Sequence, residues 1–412
     1  MSTLLGSIKE VFSNENVMVV SVSNCIGRFT QFLWQAFFSL YLMKELGATI
    51  EAVGIISLVQ STALLLYHFP AGMLADKIGR KKIIMLGCAS QVIPSILFLS
   101  ATTWVQVIPA FILFPAPWWI QANNALIAES LPSKQRGIGF GVSTLVSFLP
   151  AQVFPPVISG WVTDTIGLAK GTRVFLIYFL IAHIITLLFQ AKFITEILGV
   201  ERRGKFLSLR GHLSQFTKLP KTLYAMLTVS CFSGIVMRMI TPFLAVYGVD
   251  VIGLSKTQWG LIMMVEGLIS CGLSLPGGIL ADKIGRKPLI LLSRVIAPSG
   301  RLGLAFSHTF TQALVAQLIY GLGGRLGGPT GGMGAPAWQA LMADLTPASK
   351  RASVMGLIGT ISGLIGAPFS VVGRYLWNNY YPALPLQMSF PLEIIPTLIL
   401  YLLGKEPEVK EK

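Results

Sequence analysis

Apolar runs long enough to cross a bilayer recur from one end of this 412-residue chain to the other. A hydrocarbon core of roughly 30 Å takes about 20 residues of helix. Twelve segments meet that length, at about 17–43, 51–75, 82–101, 104–130, 137–161, 173–191, 221–247, 255–281, 287–307, 311–344, 353–374 and 385–403. In lipid, only helices and closed barrels satisfy every backbone N–H and C=O. These runs are too long for barrel strands and do not alternate, so the expected fold is an all-α membrane protein of twelve transmembrane helices. Composition agrees. Apolar residues make up 53% of the chain and charged residues 12%, too little charge to cover a soluble surface.

The net charge of +15 would suggest nucleic acid in a soluble chain. Here it follows from the positive-inside bias of membrane proteins. With both termini placed in the cytoplasm, the inner connections and tails carry 22 Lys and Arg and the outer ones 5. That asymmetry sets the expected orientation, in the plasma membrane. The N-terminal stretch MSTLLGSIKEVFSNEN has neither the basic region nor the cleavage site of a signal peptide, so the first segment is expected to be retained. Cys25, Cys88, Cys231 and Cys271 lie scattered in apolar segments and read as small buried residues, not as a disulfide or zinc framework.

One string occurs twice. Residues 72–82 read GMLADKIGRKK and residues 278–288 read GILADKIGRKP, 206 residues apart, half the chain. Tyr41, Gly47 and Gly54 repeat at the same spacing as Tyr247, Gly253 and Gly260. A second pattern, ALIAESLPSKQRG at 125–137, returns as ALMADLTPASKRA at 340–352, pairing Glu129 with Asp344, Pro132 with Pro347 and Arg136 with Arg351. The expected domains are a six-helix bundle over 1–191, a cytoplasmic linker over 192–220 and a second, pseudo-symmetric six-helix bundle over 221–412. The basic linker reads either as a solvated loop or as an amphipathic helix on the anionic leaflet.

On these motifs the chain resembles the major facilitator superfamily over about 17–403. The resemblance implies alternating access, with substrate held near the midplane between the halves. It also implies a cytoplasmic gate of Gly72, Asp76, Arg80, Glu129 and Arg136 in the first half and Gly278, Asp282, Arg286, Asp344 and Arg351 in the second. Each residue type has a reason to be there. Gly72 and Gly278 permit close helix approach. Asp76 and Asp282 can face a helix N-terminus or a basic side chain. Gly79 and Gly285 allow the reversal. Arg80 and Arg286 can grip a carboxylate with two hydrogen bonds. A gate and a mere topological staple both fit.

Ionisable side chains at bilayer depth usually face a cavity or a partner. Arg28, Arg238, Arg294, Arg301 and Arg325 qualify, with Glu266 as the one clearly mid-span carboxylate. Counting from the outer turn puts Arg238 and Glu266 at similar depth, so an ion pair between them is geometrically allowed. Gln60 is the first-half equivalent of Glu266. Arg294 is expected to snorkel or to join the Asp282 cluster. Arg28, Arg238, Glu266, Gln60, Arg301, Asn123 and Asn124 are the candidate substrate-binding residues, and two arginines on spans one and seven loosely resemble an organophosphate-antiporter arrangement. Bracing of helices is the competing reading.

The function that follows is secondary active transport of a small solute, proton-coupled, with an organic anion as the first expectation and multidrug or toxic-compound efflux as the alternative. A membrane-embedded enzyme or receptor is remote. The four histidines are dispersed, and neither a nucleophile elbow nor a metal-binding helix motif is present. No cofactor, metal or nucleic acid is expected. The expected partners are the solute, a coupling proton and membrane lipids, and the expected state is a monomer.

Overall fold

The structure, a computed structural model, describes residues 13–114, 122–123, 126–127, 129–132, 136–196, 220–328, 335–346 and 351–404. Helix makes up most of the described residues of each expected apolar segment, interrupted by short turns such as 36–37, 90–91 and 367–368. In chain order these are α1 Glu15–Gln35, α2 Phe38–Lys44, α3 Ile50–Ile78, α4 Arg80–Ala89, α5 Val92–Ser100, α6 Ile108–Leu113, α7 Arg136–Thr165 and α8 Leu168–Phe193. The second half continues with α9 Lys221–Ile240, α10 Lys256–Gly272, α11 Ser274–Ile284, α12 Arg286–Ala305, α13 Phe310–Gly327, α14 Pro336–Asp344, α15 Arg351–Gly366, α16 Phe369–Asn379 and α17 Leu384–Leu403. Among the described residues, six stretches are long and apolar enough to cross a membrane: Arg80–Ser100, Leu145–Thr165, Leu168–Phe193, Lys221–Val251, Val354–Asn379 and Leu384–Leu403. The chain is an all-α, multi-spanning membrane protein.

Local chemistry sets the ends. Asn14 opens α1 by accepting from Val17 N at 3.3 Å, Thr49 opens α3 by accepting from Ala52 N at 3.3 Å, and Thr309 opens α13 by accepting from Gln312 N at 3.3 Å. Each side chain satisfies one of the donors that a first helical turn leaves open.

The chain divides into two compact units, Met1–Lys205 with Ser255–Met264, and Phe206–Leu254 with Val265–Lys412. In the first, α1 packs against α7 and α8, and α8 against α4 and α5. Trp34, Phe38, Phe98, Phe111, Phe114 and Phe179 knot these helices together, with Trp34 4.8 Å from Phe38 and 5.0 Å from Phe98, centroid to centroid. The first turns of α10 belong to this unit. There Asp164 at the end of α7 accepts from Lys256 Nζ and from Thr257 N, each at 2.8 Å.

The second unit repeats the scheme: α9 packs against α15, α16 and α17, and α12 against α13 and α17. Packing in lipid gains little from apolar contact and depends on close approach. The contact between α12 and α13 is accordingly built on glycine. A methyl group at Gly300 would overlap the backbone of Tyr320, and one at Gly323 the backbone of Ala297.

Candidate functional site

The repeated turn closes each unit in the same way. α3 ends at Gly79 and α11 at Gly285, with φ of 102° and 103°. An L side chain is strained at that angle, and a Cβ on Gly79 would stand 2.8 Å from Glu196 Oε2. The arginine that follows turns to the end of the fourth apolar segment of its own half. Arg80 Nε lies 3.3 Å from Glu129 Oε1, and Arg286 pairs with Asp344 while its Nη1 donates to Ala340 O at 3.0 Å. Both pairs are internal to one unit, so each ties the turn to its own bundle. Gly72 lies in α3 and Gly278 in α11. The side chains of Asp76, Arg136, Asp282 and Arg351 lie outside the described residues.

The next residue of the turn does work that the sequence reading missed. Lys81 Nζ donates to Ala191 O at 2.8 Å, at the end of α8. Lys287 Nζ donates to Tyr401 O at 2.9 Å and Gly404 O at 2.7 Å, at the end of α17. A cation placed there satisfies carbonyls that the last helical turn leaves open and meets the negative end of the helix dipole. In the first unit Glu196 completes the node. Its carboxylate accepts from Arg80 N at 3.1 Å and Lys81 N at 2.9 Å, capping α4 from 115 and 116 residues away. Asn16 holds the neighbouring residue, donating to Thr195 O at 3.1 Å and accepting from Thr195 N at 2.9 Å.

At depth, Arg28 on α1 lays its guanidinium on the ring of Phe148 from α7, 3.8 Å from the centroid, a favourable cation–π arrangement. Among the described residues it has no carboxylate partner. Asn123 donates to Asn24 on α1 at 3.1 Å. Gln60 is half-buried on α3, and Asn124 lies outside the described residues.

Three readings of the second unit are corrected. Glu266 does not pair with Arg238. Its carboxylate accepts from Gln317 Nε2 on α13 at 3.2 Å and lies within electrostatic reach of Arg301 and Arg325. Equal depth fixed one coordinate of that pair, but the direction around each helix axis was free. Arg238 keeps a buried Nη1 without a partner. Arg294 does not snorkel: it is 1% exposed, with Nη1 3.3 Å from Glu393 on α17. Glu266 is therefore not the lone deep carboxylate, since Glu393 is 7% exposed in the middle of the last apolar run. Arg301, which had no evident partner in the sequence, stacks on Tyr320 at 3.7 Å and faces Glu266 and Glu393. Arg325 donates its Nε to Ser270 Oγ at 3.0 Å. Among the described residues, no group of three or more His, Cys, Asp or Glu could hold a metal ion.

The family model of the Major Facilitator Superfamily matches residues 18–370. The inner membrane transport protein YajR of Escherichia coli (strain K12) is 29% identical over 143 residues, 35% of this chain and 30% of YajR. The quinolone resistance protein NorA of Staphylococcus aureus (strain Mu50 / ATCC 700699) is 30% identical over 132 residues, 32% of each chain. The chain thus spans about a third of the length of the curated relatives it matches. A bacterial homologue of the human lysosomal transporter Spinster covers 95% of this chain and 96% of its own at a TM-score of 0.74 and 14% identity, a likeness of fold alone.

Proposed function

The chain belongs to the Major Facilitator Superfamily, and from that premise we propose that it is a proton-driven exporter of amphiphilic organic compounds. Secondary active transport of a small molecule comes with the family, and the chain is a transporter, not an enzyme. Export of drug-like compounds is carried by one observation, the 30% identity to a quinolone resistance protein over 132 residues. The Arg28–Phe148 stack is compatible with such cargo, since it offers a flat aromatic face beside a cation. We place Glu266 on the proton side of the cycle because it is a deep carboxylate whose hydrogen-bond donor is the neutral Gln317 amide, whereas Glu393 is paired with Arg294. Twelve spans in two bundles, termini in the cytoplasm and a gate at Asp76 and Asp282 complete the proposal.

A second reading, transport of organic anions, is favoured by Arg28 and Arg238, which have no carboxylate partner among the described residues. Counterflow in proteoliposomes separates the two. The panel comprises lipophilic cations, aromatic carboxylic acids and small hydrophilic organic anions, each with and without a pH gradient. Aromatic amphiphiles are expected to exchange, and Glu266→Gln to retain exchange while losing accumulation driven by the gradient. Exchange confined to hydrophilic anions would sink the export reading in favour of the second.

A further inference from the structure

The second unit holds a set of buried and half-buried charges that titration cannot balance. Arg294, Glu393, Arg301, Glu266 and Arg325 alternate in sign across α12, α17, α10 and α13. Among the described residues, three cations face two carboxylates. Arginine does not give up its proton in a protein, and protonating either glutamate would deepen the positive excess. A net positive charge inside a bundle that lies in lipid is costly, so the cluster needs one more negative charge.

The unused donors show which nitrogens are available to receive that charge. Arg294 is 1% exposed and spends Nη1 on Glu393. Among the described residues its Nε and Nη2 have no hydrogen-bond partner. Those two nitrogens form the side-on edge of the guanidinium, where two N–H bonds run nearly parallel and grip an anion together. Arg301, seven residues along the same face of α12, is 6% exposed, and its Nη1 is also without a partner. Burying such donors unpaired carries the full desolvation penalty of a charged group.

We propose that the side-on edge of Arg294, with Arg301 as the second cation, binds a small monovalent anion. Glu393 holds Arg294 by its other nitrogen and so fixes the plane of that edge. The anion is either free halide or the acid group of the cargo, both of which present the same charge to the same edge. In its halide form the site is independent of the cargo; in its second form it rests on the transport reading above.

The test is thermal unfolding of the full chain in lipid nanodiscs at constant ionic strength, with gluconate replaced stepwise by chloride, bromide or formate. A saturable upward shift, absent in Arg294→Lys, is expected. Lysine keeps the charge and lacks the edge. If those ions give no shift, but an aromatic carboxylic acid that exchanges in counterflow gives one that Arg294→Lys abolishes, the anion is the cargo's acid group. No shift with any anion, or a shift that Arg294→Lys leaves unchanged, overturns the proposal. Should Arg294→Lys fail to fold, Arg301→Lys leaves the Arg294–Glu393 pair in place and must raise the half-saturating anion concentration; an unchanged value overturns the proposal equally. Counterflow that fails for every compound would sink the export reading without moving the halide shift.

Discussion

A single buried ion pair illustrates how much rides on individual residues in this fold. Arg294 and Glu393 are almost completely enclosed, so neither can turn to water if the other is removed. Breaking a buried pair from one side typically costs about 3–5 kcal/mol, whereas replacing both partners with apolar residues of similar volume is often neutral. Glu393→Gln is therefore expected to lower the unfolding midpoint far more than the double replacement Arg294→Met with Glu393→Met. A double replacement as damaging as the single one would show that the pair's charge is not what matters. The glycines give a second residue-scale contrast. Gly323→Ala must push α12 from α13 at Ala297, costing about 1–3 kcal/mol as overpacking does. A Cβ at Gly359 meets nothing within 4 Å, so Gly359→Ala should be neutral or stabilising by up to about 1 kcal/mol, the helix-propensity difference. Equal midpoints for the two variants would contradict the close helix contact.

The element scale shows what could be read from the sequence and what could not. Helix positions were legible because lipid forces every backbone group into an internal hydrogen bond, which makes apolar length nearly sufficient. The turn was legible because it is written twice. Its partners were legible only in part. Glu129 and Asp344 were found because their own pattern also repeats, while Glu196 lies outside any repeated string and reaches α4 from beyond α8. Glu393 had a usable signal, an ionisable residue in the middle of an apolar run, but its pairing with Arg294 depends on how α12 and α17 face each other. Spacing along one helix could place Arg294 and Arg301 on a common face and could not choose that face's neighbour. Glu196 offers a local test. Losing its charge at the start of α4 should weaken the cap by about 0.5–2 kcal/mol. Glu196→Gln is expected to speed hydrogen exchange of the amides at 80–83 while leaving α12, at the equivalent place in the other half, unchanged. Equal protection at 80–83 in variant and wild type would remove Glu196 as the cap.

At the scale of the whole molecule, the two halves agree in ways that sequence identity at the turn alone does not require. Gly47 and Gly253 both adopt positive φ, at 69° and 82°, and Gly79 and Gly285 do so within a degree of each other. Lys81 and Lys287 both reach the last helix of their own half. In each half, the first helix packs on the fifth and sixth apolar segments. A parallel repeat of this kind puts equivalent turns on the same side of the membrane only if each half contains an even number of spans. The excess of Lys and Arg at the repeated turns is the ground for proposing that they face the cytoplasm. Two exposed lysines probe this, Lys82 beside the first repeated turn and Lys170 beyond the end of α7. In a background with Cys25, Cys88, Cys231 and Cys271 replaced, Lys170→Cys should react with an impermeant maleimide on intact cells and Lys82→Cys only after permeabilisation. Reaction of both from outside would refute the even-span arrangement, because Lys82 and Lys170 would then share a side. Reaction of Lys82→Cys alone from outside would keep the arrangement and invert the protein, removing the charge asymmetry as the determinant of its orientation.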